Sequence, residues 1–143
     1  MSDPWLHCVF CDDIRYEHGG KFSLIGIYAG DMMIGTIVFP AVLPRLVTQI
    51  WITIPRDRPL SSVIVEIIGA RGEELARVEP PDLPSAAEIP EGAERLTVGL
   101  SVVQSPFVIS AEGRIEAWVT IDGIRQKAGQ IGVWRSPPAP PMA

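Results

Sequence analysis

No apolar run in the sequence approaches the roughly 20 residues that a helix needs to cross a bilayer, so a helical membrane span is excluded. Lysine is nearly absent: Lys21 and Lys127 are the two, and the rest of the positive charge is scattered arginine. With a net charge of −5 and no basic patch, nucleic acid is not an expected partner. The start, MSDPWLHC, lacks a basic region, an apolar stretch and a cleavage site, so the expected location is the cytoplasm. There is no G-x-S-x-G and no G-x-x-x-x-G-K-[ST], hence no nucleophile elbow and no phosphate loop. Histidine is limited to His7 and His18, and cysteine to Cys8 and Cys11. These leave a Ser-His-Asp triad or a metal site conceivable in composition but unmarked by any motif, and no cofactor is expected.

What is present is greasy and heavily punctuated. The 143 residues suffice for one domain with a real core. Hydrophobic residues make up 47% and charged residues 20%, and the mean hydropathy of +0.23 is high for a soluble monomer. It fits long buried strands, or an oligomer that hides an apolar face. Fourteen prolines and 13 glycines stand between short apolar runs, the habit of short strands joined by frequent turns.

Residues 113–134 carry the clearest local signal. Ile115, Ala117, Val119 and Ile121 alternate with Glu116, Trp118, Thr120 and Asp122, the period of a half-buried strand. Asp122-Gly123 supplies the two positive φ values of a type I′ hairpin turn. That turn pairs Ile121 with Ile124 and Ala117 with Ala128. The return strand then switches parity, to Ile131 and Val133, which predicts a bulge near Gly129 or Gln130. Other strands are expected at 5–14, 21–28, 32–34, 46–54, 62–68, 74–78, 96–103 and 107–109. Residues 35–46 hold Pro40 and Pro44, which forbid a central strand and suggest a crossing between sheets. Residues 79–95 contain four prolines and five carboxylates. Pro90 limits them to one short turn, and a solvated, mobile loop is favoured over an acidic docking segment. The fold expected is all-β: a two-sheet immunoglobulin-like (Greek-key) β-sandwich of about eight or nine strands. It forms a single domain over 1–136, with a Pro-rich tail at 137–143. A closed barrel is the structural alternative.

Candidate chemistry concentrates near the start. Cys8 and Cys11 form the one C-x-x-C, and His7 and His18 are the other metal candidates. Residues three apart on a strand point oppositely, so buried free thiols are favoured over a metal site or a redox pair. Asp12, Asp13, Arg15 and Glu17 form the densest polar cluster. Two carboxylates suit calcium or acid–base work; the blander expectation is that one caps a turn and the other pairs with an arginine. Trp51, Trp118 and Trp134 are candidates for an interface, or for capping the core edge.

The block CDDIR with GGKFSLIGIYAGDMMI, followed by FPAVLPRL and GRIEAWVTIDG, resembles an uncharacterised family of small bacterial proteins. That family is a domain of unknown function and is expected to be a β-sandwich. The likeness spans roughly residues 11–133; Cys8 falls outside it. It implies no reaction, cofactor or catalytic residue. The expected role is a non-enzymatic, intracellular protein-binding or assembly module, self-associating and encoded near phage or other mobile elements. The alternatives are a metal- or small-ligand-binding protein or enzyme centred on residues 8–18, and, more weakly, a carbohydrate-binding sandwich using exposed tryptophans.

Overall fold

The computed structural model of the chain describes residues 4–35, 38–58, 60–85 and 88–136; the Pro-rich tail lies outside them. Eleven strands occur among the described residues: β1 (Trp5–Tyr16), β2 (Phe22–Ile27), β3 (Met32–Ile34), β4 (Ala41–Leu43), β5 (Leu46–Pro55), β6 (Val63–Ile68), β7 (Glu74–Val78), β8 (Arg95–Gln104), β9 (Phe107–Ile109), β10 (Gly113–Ile121) and β11 (Ile124–Arg135). One sheet runs β2-β1-β5-β8 and the other β3-β11-β10-β6-β7, with β4 and β9 forming a small third sheet. All pairs are antiparallel except β3 with β11.

The two larger sheets pack like a sandwich because their alternations agree. Ile50, Ile52 and Ile54 of β5 point inward, as do Val63, Val65 and Ile67 of β6 and Ile115, Ala117, Val119 and Ile121 of β10, all at 0–4% exposure. Each of the larger side chains contributes roughly 1.5–3 kcal/mol by leaving water.

The strand count exceeds the expected eight or nine, chiefly through β4. β3 belongs to the five-stranded sheet and β5 to the four-stranded one, so the chain crosses between them, but residues 41–43 pair on the way with β9, Val42 opposite Val108. Pro40 and Pro44 flank this short strand rather than interrupt it, so neither removes a ladder donor.

In the β10–β11 hairpin, Asp122 and Gly123 have φ values of 48° and 85°, as the turn type requires. Ile121 pairs with Ile124 as expected, but Ala117 pairs with Gly129, and Ala128 is the extra residue. The bulge therefore falls one position before the expected site, because the register returns as soon as Gly129 can meet Ala117. Gly129 is needed there: a Cβ would stand 2.9 Å from Cβ of Cys8. The Asp122 carboxylate accepts hydrogen bonds from the Ser61 N–H (2.9 Å), the Ser61 hydroxyl (2.8 Å) and the Ser62 N–H (2.7 Å), so the turn is bolted to the start of β6.

β1 behaves differently. Its first half pairs with β5 and its second half with β2. The β1–β2 hairpin then folds back over the outer face of the four-stranded sheet. Phe22 stacks on Trp51 of β5 with ring centroids 6.2 Å apart, and Tyr16, Lys21 and Phe22 share a cleft with Gly99 and Ser101 of β8. Cys11, Val47 and Gln49 are consequently fully buried, although Cys11 and Val47 lie outside the main core.

The described residues of 79–94 are irregular but anchored. The Arg56 guanidinium donates to the carbonyls of Ala93 (2.7 Å), Ile89 (3.2 Å) and Pro90, and Ile89 is buried. An arginine fork that satisfies three loop carbonyls gives this stretch a seat, while its five carboxylate residues stay exposed, as the composition suggests.

Candidate functional site

The acidic pair Asp12-Asp13 sits where β1 passes from β5 to β2. The Tyr28 hydroxyl donates to Oδ1 of Asp12 at 2.8 Å. Asp13 Oδ1 accepts from Arg45 Nη1 at 2.6 Å and from the Ile14 N–H at 2.9 Å. These four side chains, with Leu43 and Ser105, line an open cleft of about 600 Å³. The Arg45 hydrogen bond holds the Asp13 carboxyl below its ordinary range. Burial, then the hydrogen bond to Asp12, pushes the Tyr28 phenol up to about 12. At neutral pH the cleft thus presents a neutral phenol, one carboxylate paired with a guanidinium, and Asp12.

The rest of the expected polar cluster lies elsewhere. Arg15 bonds Glu17 at 2.6 Å, and Glu17 also accepts from the Ser23 hydroxyl at 3.1 Å; this pair belongs to the β1–β2 turn. Asp12 and Asp13 take separate partners, Tyr28 and Arg45, yet both line the one cleft. Tyr28 and Arg45 were not singled out from sequence. Nothing local marks them, because the turn after β2 and the residue preceding β5 meet β1 only in the folded chain.

Cys8 and Cys11 are free thiols on opposite sides of β1. Cys8 packs against the main core beside Gly129, and burial pushes its thiol up to about 12. Cys11 lies under the folded-back hairpin, and burial raises it too. Both are therefore protonated at neutral pH and poor nucleophiles. His7 lies on the outer face, stacked on Trp51 at 5.4 Å. His18 is in the exposed β1–β2 turn. Among the described residues, no three His, Cys, Asp or Glu side chains converge.

The tryptophans have distinct settings. Trp51 stacks with both His7 and Phe22. Trp118 stands on the outer face of the five-stranded sheet, with the Arg125 guanidinium 4.1 Å and the Lys127 ammonium 5.4 Å from its ring centre. Trp5 carries Arg95 at 4.0 Å. Trp134 is fixed through its indole N–H, which donates to Asp31 Oδ2 at 2.9 Å, while the Gly132 N–H donates to Oδ1 at 2.9 Å. Gly132 must lack a side chain, since a Cβ would lie 2.5 Å from the indole nitrogen.

Beside Trp134 the surface carries an exposed apolar side chain as well as the Asp31 carboxylate that holds the indole. Trp134 is 38% exposed and pairs with Met33, 54% exposed. Met33 and Val42 line one open cleft of about 570 Å³ with Pro40 and Ala41. Val42, 60% exposed, stands opposite Val108, 46% exposed. A rigid aromatic beside Met33, together with the exposed Val42–Val108 pair, can bind another apolar surface.

No family model matches the chain, and neither curated proteins nor solved structures gave a match.

Proposed function

We propose that the protein is a non-enzymatic binding and assembly module acting in the cytoplasm, which docks a protein, including other copies of itself, through exposed parts of its sheets. The observation that carries this reading is the apolar end formed by Trp134, Met33, Val42 and Val108, with Trp134 held in place by Asp31. Exposed aromatic and aliphatic side chains on rigid strands lose little conformational freedom on binding, which favours them as anchors. Membership of the family resembled above belongs to the same proposal. So does an immunoglobulin-like Greek-key arrangement. It is supported by the alternation of β5, β6, β8 and β10 between the sheets, with β5 beside β8 and β6 beside β10.

Light scattering on the eluting protein, combined with affinity capture, tests the reading. A mass above 15.6 kDa, or a captured protein that Met33→Asp/Val42→Asp releases, supports it. A 15.6 kDa particle at every concentration with nothing captured overturns it.

A second reading rests on the cleft at Asp12, Asp13, Tyr28 and Arg45: a small-ligand or metal site near the chain start. Elemental analysis after purification without chelator, and thermal shifts with calcium, test it. No metal and no shift removes it.

A further inference from the structure

The two larger sheets end in four edge strands, and three are blunted. β3 has three residues. β7 has five, carries Glu74 and Arg77, and meets β6 with a register shift. β2 has six and is broken by Gly26 at φ 68°. β8 is unlike them. It has ten residues, pairs with β5 at every position without a register shift, and contains no proline. Its one charge, Arg95, is at the first position and is folded onto Trp5. No strand pairs with its far side among the described residues.

The side chains show the same incompleteness. Ile50, Ile52 and Ile54 on β5 are 0–2% exposed, yet their partners Leu100, Val98 and Leu96 on β8 remain half-buried, and Val103 is 46% exposed. An unpaired ladder of backbone donors and acceptors takes one kind of occupant, another extended strand.

The charge distribution identifies which. The chain carries a net charge of −5, but residues 95–111 contain no Asp or Glu. Two copies therefore meet along β8 with no carboxylates opposed, in a chain whose net negative charge otherwise sets copies against one another. An antiparallel pair of identical strands is closed by a two-fold axis, so it stops at a dimer. We propose that β8 is a dimerisation edge: β8 of a second copy adds antiparallel to it, joining the two four-stranded sheets into one. This rests on the assembly reading above and assigns it a surface other than the Trp134 end.

Sedimentation velocity over a concentration series tests it, using the full chain, Val103→Lys and, as a control, Met33→Asp/Val42→Asp. The expected result is a concentration-dependent dimer that Val103→Lys weakens by at least about tenfold, since an edge lysine opposes strand addition, while the control dimerises normally. Because the wild type is also measured by hydrogen exchange, a poorly folding variant does not end the test. Amides of residues 96–104 are expected to exchange more slowly as concentration rises. A dimer that survives Val103→Lys but dissolves in the control overturns the β8 proposal and leaves the assembly reading. So does a wild-type monomer that still captures a partner through the Trp134 end. A wild-type monomer with no partner overturns both, and concentration-independent exchange in residues 96–104 overturns the β8 edge on its own.

Discussion

The hairpins β10–β11 and β1–β2 are built from similar residues and differ in what surrounds them. β10–β11 has β6 on one side and β3 on the other, and Asp122 ties its turn to Ser61 and Ser62. Its inward side chains Ile115, Ala117, Val119, Ile121, Ile131 and Val133 are all within 4% exposure. β1–β2 ends on a free edge, its turn is held by polar contacts, and Phe22 on Trp51 is its main apolar anchor. A strand clamped on both sides keeps the facing that its alternation dictates. A strand free on one side bends toward whatever apolar surface lies within reach, and its faces are then assigned by that surface.

Substitutions in the two hairpins sharpen the contrast. The largest effect is expected for Gly129→Val, because Cβ and Sγ of Cys8 would lie 2.9 and 3.2 Å from the new Cβ. Overpacking of this kind costs about 3 kcal/mol, measurable by denaturant unfolding. Asp122→Ala follows at about 2 kcal/mol, from lost hydrogen bonds to a charged group and a left-handed residue without a polar side chain. Asp122→Asn isolates the charge. The Ser61 hydroxyl and the Ser61 and Ser62 N–H groups hold the folded carboxyl below its ordinary 3.8. The wild type's advantage over Asp122→Asn should therefore be complete above about pH 4 and fade as the pH falls through the lower folded value. Equal pH dependence of the two proteins would contradict this. Phe22→Ala in the other hairpin should cost about 1 kcal/mol, since the ring is half-buried, and should speed hydrogen exchange in residues 14–24 without changing it in β10. Arg45→Gln should leave the melting temperature unchanged, because an exposed pair contributes little; a clear drop would mean that the Asp13 cleft is structural.

Much of this was legible in sequence where local chemistry was self-sufficient. Asp122-Gly123 takes the turn geometry that two tolerant residues allow, and the Ile115–Ile121 alternation survives intact. The parity switch foretold a bulge, and its position moved one residue because the clearance beside Cys8, a contact across the sandwich, decides where a side chain must be missing. Pro40 and Pro44 exclude a central strand and suggest a connection, but the three-residue strand β4 between them needs no donor from either. At the Asp12–Asp13 cleft the carboxylates were visible, and Tyr28 and Arg45 were not, since their approach depends on how β1 turns. The long carboxylate-bearing segment suggested solvation, and the Arg56 fork that seats it is a contact no composition reveals.

The order of residues along the chain determined which segments become strands, where they turn, and which side chains turn away from water, because those choices depend on alternation and on φ preferences within a few residues. Which strand lies at an edge, which face a bent hairpin covers, and whether an apolar side chain ends up in the core or at the surface beside Trp134 were decided only when the sheets assembled. Backbone ladders and packing join residues far apart in the chain, and no local preference can encode a neighbour that has yet to arrive.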